Sequence, residues 1–130
     1  MLNWLSKLFR RRQEALPQRP FTSRVRVVHD DKFITVYDGE GGVVMLDWAD
    51  IANVSVLTTD AGPFEIDLFW VLSDRDGRRT VTVPMGARGE HDLLQAMQIR
   101  FSGFDNMAVV EAMSSTANRA FQIWPPAEMI

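Results

Sequence analysis

"GPFEIDLFWVLSD", residues 62–74, is the stretch on which the fold turns. Phe64, Ile66, Leu68, Trp70 and Leu72 alternate with Glu65, Asp67, Phe69, Val71 and Ser73. A period of two puts successive side chains on opposite faces of a strand, and a helix would scatter this set around its circumference. Pro63 and Gly62 precede the run and "DRDGRR", residues 74–79, follows it, so both ends carry turn chemistry. Asp76–Gly77 fits a two-residue hairpin turn, and "RTVTVPM" returns with Val81 and Val83 inward and Thr80 and Thr82 outward.

The same period extends upstream to Arg24. Val25 and Val27 share a face, and so do Ile34 and Val36, with Phe33, Thr35 and Tyr37 opposite them. Val44, Leu46 and Trp48 form a third inward set, and Ala52, Val54 and Val56 a fourth. Gly39, Gly41 and Gly42 in "DGEGG" supply the positive φ that a hairpin demands. About six strands with short turns between them predict antiparallel neighbours. No helical crossover separates them, which argues against a parallel sheet.

Helical spacing follows only after Met85. "GEHDLLQAMQIRF" aligns Leu93, Leu94, Met97 and Phe101, with Glu90 and Asp92 beside the positive end of the helix dipole. Asp105 or Asn106 caps a second helix with a stripe of Val109, Val110 and Met113. "RAFQIW" before Pro125 and Pro126 fits a last strand, giving six to seven in all. The expected fold is α+β: a curved antiparallel sheet or small barrel sealed by a C-terminal helical cap.

Residues 1–20 are a different material. They carry Lys7, Arg10, Arg11, Arg12 and Arg19 against Glu14, a balance of +4, whereas residues 21–130 hold 9 basic and 16 acidic residues, a balance of −7. The 130-residue chain thus divides into a basic segment, 1–20, and one domain, 21–130. Met1, Trp4, Leu5 and Leu8 follow helical spacing, and Leu2 and Phe9 widen the face. The apolar run is far short of the roughly 20 residues of a membrane span, and charge follows it rather than preceding it, unlike a secretory signal. Two readings stay open. Either the segment is a foot, with Trp4, Leu5, Leu8 and Phe9 in an anionic membrane surface and Lys7, Arg10, Arg11 and Arg12 touching headgroups, or with the same face on a partner; or the face docks on the domain or the segment is simply a mobile tail.

Several chemistries are poorly supplied. Cysteine is absent, which removes disulfides and thiolate sites. A net charge of −3 gives no case for nucleic acid. "DRDG" begins like a calcium loop, but the twelfth position from Asp74 is Met85 rather than a glutamate. "DGEGG" lacks the lysine and hydroxyl residue of a phosphate loop. His29 and His91 each precede an aspartate but are far apart in sequence, and solvated surface positions account for both. "SST", residues 114–116, has no base nearby in sequence. No catalytic, cofactor or metal residue is assigned.

Strands first and a helix laid over one end is the order of pleckstrin-homology-like domains. "LDWADIANV", residues 46–54, resembles the W-x-x-I-x-x-V stretch of many bacterial members, and "RFSGFD" and "FQIW" are similar to endings in small bacterial proteins of that shape. The resemblance covers residues 24–124; two helices in place of one is a departure. It implies a fold and a binding habit, not a ligand. The hairpin that carries phosphoinositide-binding basic residues in eukaryotic members corresponds here to "HDDK", residues 29–32, with two aspartates.

The expected function is a non-catalytic binding or scaffolding module with a protein partner, in one version an immunity-type protein acting through its acidic surface. It is expected in the cytoplasm, at the inner membrane face if the basic segment anchors it, and a homo-oligomer is compatible with it. Glu65, Asp67, Phe69 and Val71 form a candidate contact patch, because Phe69 and Val71 are apolar on an otherwise polar face; burial under a helix is the other account. The competing class is a small-ligand carrier or hydrolase with a pocket inside the curved sheet.

Overall fold

A computed structural model describes residues 24–60 and 68–127. The strands are β1 Arg26–His29, β2 Phe33–Tyr37, β3 Val43–Asp47, β4 Ile51–Thr58, β5 Leu68–Asp74, β6 Thr80–Pro84 and β7 Arg119–Trp124, with helices α1 Glu90–Arg100 and α2 Asn106–Ser114 between the last two. The hydrogen-bonded order is β1-β2-β3 in one sheet and β6-β5-β4-β7 in the other, and every neighbouring pair is antiparallel. Among the described residues the fold is therefore α+β, with two open sheets rather than a closed barrel. A 3-10 turn at Trp48–Asp50 carries it from one sheet to the other, capped by Asp47, whose carboxylate accepts from the Ala49 amide at 2.9 Å.

The two-residue period builds one core between the sheets. Val27, Ile34, Val36, Leu46, Val54, Val56, Leu68, Trp70, Leu72, Val81 and Val83 are all buried, as the alternation predicts. Phe64 and Ile66 lie outside the described residues. Val25, which shares the face of Val27, is only half-buried, and two further departures have local causes. A register shift in β4 between Ile51 and Asn53 turns Ile51 inward and leaves Ala52 half-buried; an extra residue at a bulge reverses the alternation beyond it. Val44 is on the inner face with Leu46 yet stays 38% exposed, because β3 is an edge strand among the described residues and no further strand closes over it.

The turns rest on aspartates. Asp30 Oδ1 accepts from the amides of Lys32 and Phe33, and Asp38 Oδ1 from those of Glu40 and Gly42. The β5–β6 connection is longer than the two-residue turn expected from Asp76–Gly77. It spans residues 75–79, closed by Asp74, whose carboxylate accepts from the Arg78 amide at 3.0 Å and whose own amide donates to the Arg79 carbonyl. Gly77, at φ +68°, takes the left-handed step inside that loop.

The helices seal the core as their stripes predict: Leu93, Leu94, Met97 and Phe101 are buried, and so are Val109, Ala112 and Met113, with Val110 half-buried. Asp105 is the cap of α2, accepting from the Ala108 amide at 3.0 Å. The chain then returns as β7 alongside β4. Glu90 stands in the first turn of α1, beside the positive end of the helix dipole, as its position predicts. It is fully buried, accepting from the Trp70 indole at 2.9 Å and from the Gly86 amide at 2.8 Å. Removing a carboxylate from water is tolerated only when hydrogen bonds replace the lost solvation. Here they also tie α1 to the middle of the larger sheet.

Candidate docking surface at the beta-3 edge

Among the described residues, β3 carries the longest run of consecutive exposed apolar side chains. Three successive residues, Val43, Val44 and Met45, are exposed by 53%, 38% and 41%. A half-buried strand should expose only every second apolar residue, so consecutive exposure means that both faces are open. The register fixes the direction of its main chain. The Trp48 amide donates to the Lys32 carbonyl and the Asp38 amide to the Gly42 carbonyl, flanking the Phe33–Asp47 and Tyr37–Val43 pairs. Those pairs, with Thr35–Met45 between them, are the non-hydrogen-bonded type. The amide and carbonyl groups of Val43 and Met45 therefore point away from β2, over an edge that no described strand covers.

The β5–β6 loop arrives at this edge. Arg79 Nη1 donates to the Met45 carbonyl at 3.0 Å. A shallow cleft of about 510 Å³ follows, lined by Val43, Val44, Met45, Arg78, Arg79 and Thr80. It carries an apolar floor, two guanidinium groups and no carboxylate. Exposed edges are ordinarily blunted by lysine, proline or a covering element, since their free main-chain groups invite another strand. β6, one of the two edges of the larger sheet, ends in Pro84, whereas β3 contains neither residue type.

Two further concave surfaces occur among the described residues. One, of about 540 Å³, has Trp48 and Phe101 at its base with Asp31, Lys32, Asp47 and Arg100 around it. Its charges are already engaged. The Arg100 guanidinium lies 4.5 Å from the Trp48 ring centre and 3.7 Å from an Asp31 carboxylate oxygen, and Lys32 reaches Asp47 at 4.0 Å. Trp48 itself donates to the Asp30 carbonyl at 2.9 Å, and Phe101 stacks on Trp124 at 4.4 Å, so the aromatics pin the β1–β2 turn to the helical cap. Asp30 is held below the ordinary carboxylate range, first by the Phe33 and Lys32 amides, with smaller help from His29 and Arg100.

The other, of about 470 Å³, is lined by Arg26, Val27, Val28, His29, Arg88, Gly89 and Asp92. Here the fold brings His29 to the same cleft as Asp92, which the sequence spacing did not foresee. His91 is half-buried at the second residue of α1. His29 is exposed and packs edge-on against Trp48 at 5.8 Å. Among the described residues no hydrogen bond or ion pair joins His29 to Asp92, and no three histidines, aspartates or glutamates are grouped to hold a metal.

Of the patch expected from sequence, Glu65 and Asp67 lie outside the described residues. Phe69 and Val71 are half-buried on the outer face of β5. Helix α1 meets the opposite face, through Trp70, and so does not cover them. Trp4, Leu5, Lys7, Leu8, Phe9, Arg10, Arg11 and Arg12 also lie outside the described residues. No described helix is long and apolar enough to cross a membrane. The residues that sequence reading passed over are Val43, Val44, Met45, Arg78 and Arg79. The available signal was "GVVML", where four apolar residues in succession break the alternation.

Compared with protein-family models, with curated proteins and with solved structures, the chain matches none.

Proposed function

We propose that this chain is a non-catalytic binding module that receives a segment of a partner protein along the β3 edge. The observation that carries the reading is the run of exposed apolar residues on a strand whose outward main chain is met, among the described residues, only by Arg79. Adding a strand to a free edge is a recurring mode of protein recognition, in which main-chain hydrogen bonds give affinity and side-chain pockets give selectivity. A pleckstrin-homology-like plan accords with six strands preceding the helices and with a binding habit; the strand after the helices, paired with β4, departs from it. Membrane anchoring through residues 1–12, and an acidic contact surface at Glu65 and Asp67, are proposals resting on sequence alone.

The test is site-specific photocrosslinking in the producing cell. A benzophenone side chain at position 45 should give a discrete adduct with another protein. The same group at position 99 should not, since Ile99 is 78% exposed but stands on α1. Equal adducts from both positions, or none from position 45, would contradict the reading.

A second reading, a small-ligand site with hydrolytic capacity, is favoured by one observation: His29 and Asp92 share a cleft. It expects an activity that His29→Ala and Asp92→Asn both abolish without loss of folding. An activity that survives either change removes it.

A further inference from the structure

We infer that the segment taken up at β3 is an acidic one, an extended stretch of about five residues alternating apolar and carboxylate side chains. This rests on the docking reading above and adds the partner's chemistry.

Length comes from the strand. Val43–Asp47 is five residues, and a strand advances about 3.3 Å per residue, so the free edge pairs with a segment of similar length. The apolar half of the alternation comes from Val44. It sits on the core face of β3, yet more than a third of it is exposed. An aliphatic side chain from an added strand would extend the core across that opening.

The acidic half comes from Arg78 and Arg79. Both are exposed and both line the cleft. Neither has a carboxylate within ion-pair distance among the described residues; Arg24–Glu40, Lys32–Asp47 and Arg100–Asp31 pair elsewhere. The nearby Asp74 carboxylate is turned to the Arg78 main chain, closing the loop. Guanidinium groups bind carboxylates through paired, charge-assisted hydrogen bonds.

The same charges disfavour a second copy of the chain. Two β3 strands pairing about a two-fold axis would each bring Arg78 and Arg79 to one seam, and like charges set together at an interface cost affinity. The whole chain carries −3, so its overall field does not draw an acidic partner; the preference is local and should be sensitive to salt.

The experiment titrates the full-length protein into three fluorescent seven-residue peptides that alternate valine with glutamate, glutamine or lysine, read by anisotropy, and measures the oligomeric state by sedimentation. The expected result is a glutamate peptide bound about tenfold tighter than the glutamine one at low salt. The margin should shrink at high salt and pass to the lysine peptide in Arg78→Glu, an exposed site. Val44→Lys should abolish binding of all three. Equal binding of the glutamate and glutamine peptides, both lost in Val44→Lys, would overturn the acidic preference and leave the docking reading standing. No binding at millimolar concentration, or binding that Val44→Lys does not affect, would overturn both. A dimer that Val44→Lys dissociates would overturn the acidic segment in favour of a second copy.

Discussion

Trp70 and Glu90 meet in the interior: the indole Nε1 donates to a carboxylate oxygen at 2.9 Å, and both residues are fully buried. The pair joins the middle of the four-stranded sheet to the first turn of α1. Trp70→Phe keeps an aromatic ring and removes the donor. It should lower stability by about 1–3 kcal/mol, the usual cost of leaving a buried polar group short of a partner. Glu90→Ala strips the acceptor from both Trp70 and the Gly86 amide and should cost more than Glu90→Gln, which keeps one acceptor oxygen. Urea unfolding of the three variants decides the order. Equal, near-zero changes would mean that the pair does not hold sheet to helix.

Asp30 sets an acid dependence. Its carboxylate is favoured in the folded state by the Phe33 and Lys32 amides, so its folded value is depressed. A depressed acid contributes stability that is present above its unfolded value and is lost as pH falls through the folded one. The melting-temperature gap between the wild type and Asp30→Ala should be constant at neutral pH and narrow in acid. A gap that widens on acidification would contradict the assignment.

Two glycines separate conformation from space. Gly77 has φ +68°, and the space a Cβ would occupy there is open, so Gly77→Ala carries only the left-handed penalty of about 1–2 kcal/mol. Gly89 has φ +88°, and a Cβ there would collide with the Val27 carbonyl, where Val27 and Arg88 pair main chains through a 2.8 Å bond. Gly89→Ala should therefore be the more damaging of the two. Thermal melts of both test this, and the reverse order would mean that β1 yields easily at that crossing.

The strands and helices were legible because burial there follows simple periods. The alternation from Leu68 to Leu72 and the stripe from Leu93 to Phe101 each face one core, so pattern and structure coincide. What the pattern missed depends on the relation between elements. The exposure of Val44 follows from where the smaller sheet stops, and periodicity carries no information about which strand is an edge. The approach of Arg79 to Met45 joins residues 34 positions apart through a loop, whose five-residue length was hidden by the Asp-Gly signal. Glu90 read as a partner of the helix dipole, since an acid in a first turn satisfies that rule whether it faces water or a tryptophan. The bulge that turns Ile51 inward has no sequence mark at all.

Arg79 should behave as a surface tether rather than a pillar. Arg79→Ala removes one exposed hydrogen bond to the Met45 carbonyl, and its effect on stability should stay within about 1 kcal/mol. Denaturant midpoints check this. A loss of several kcal/mol would mean that the β3 edge is held by the loop and is not free to accept another strand.

The most direct measurement is amide hydrogen exchange on ¹⁵N-labelled full-length protein, with and without the valine–glutamate peptide. The outward amides of Val43 and Met45 should exchange quickly in the free protein and slow on binding, while the inward amides of β2 and β3 stay protected throughout. Unchanged exchange at Val43 and Met45 under saturating peptide would contradict strand addition at β3, and with it the proposed docking.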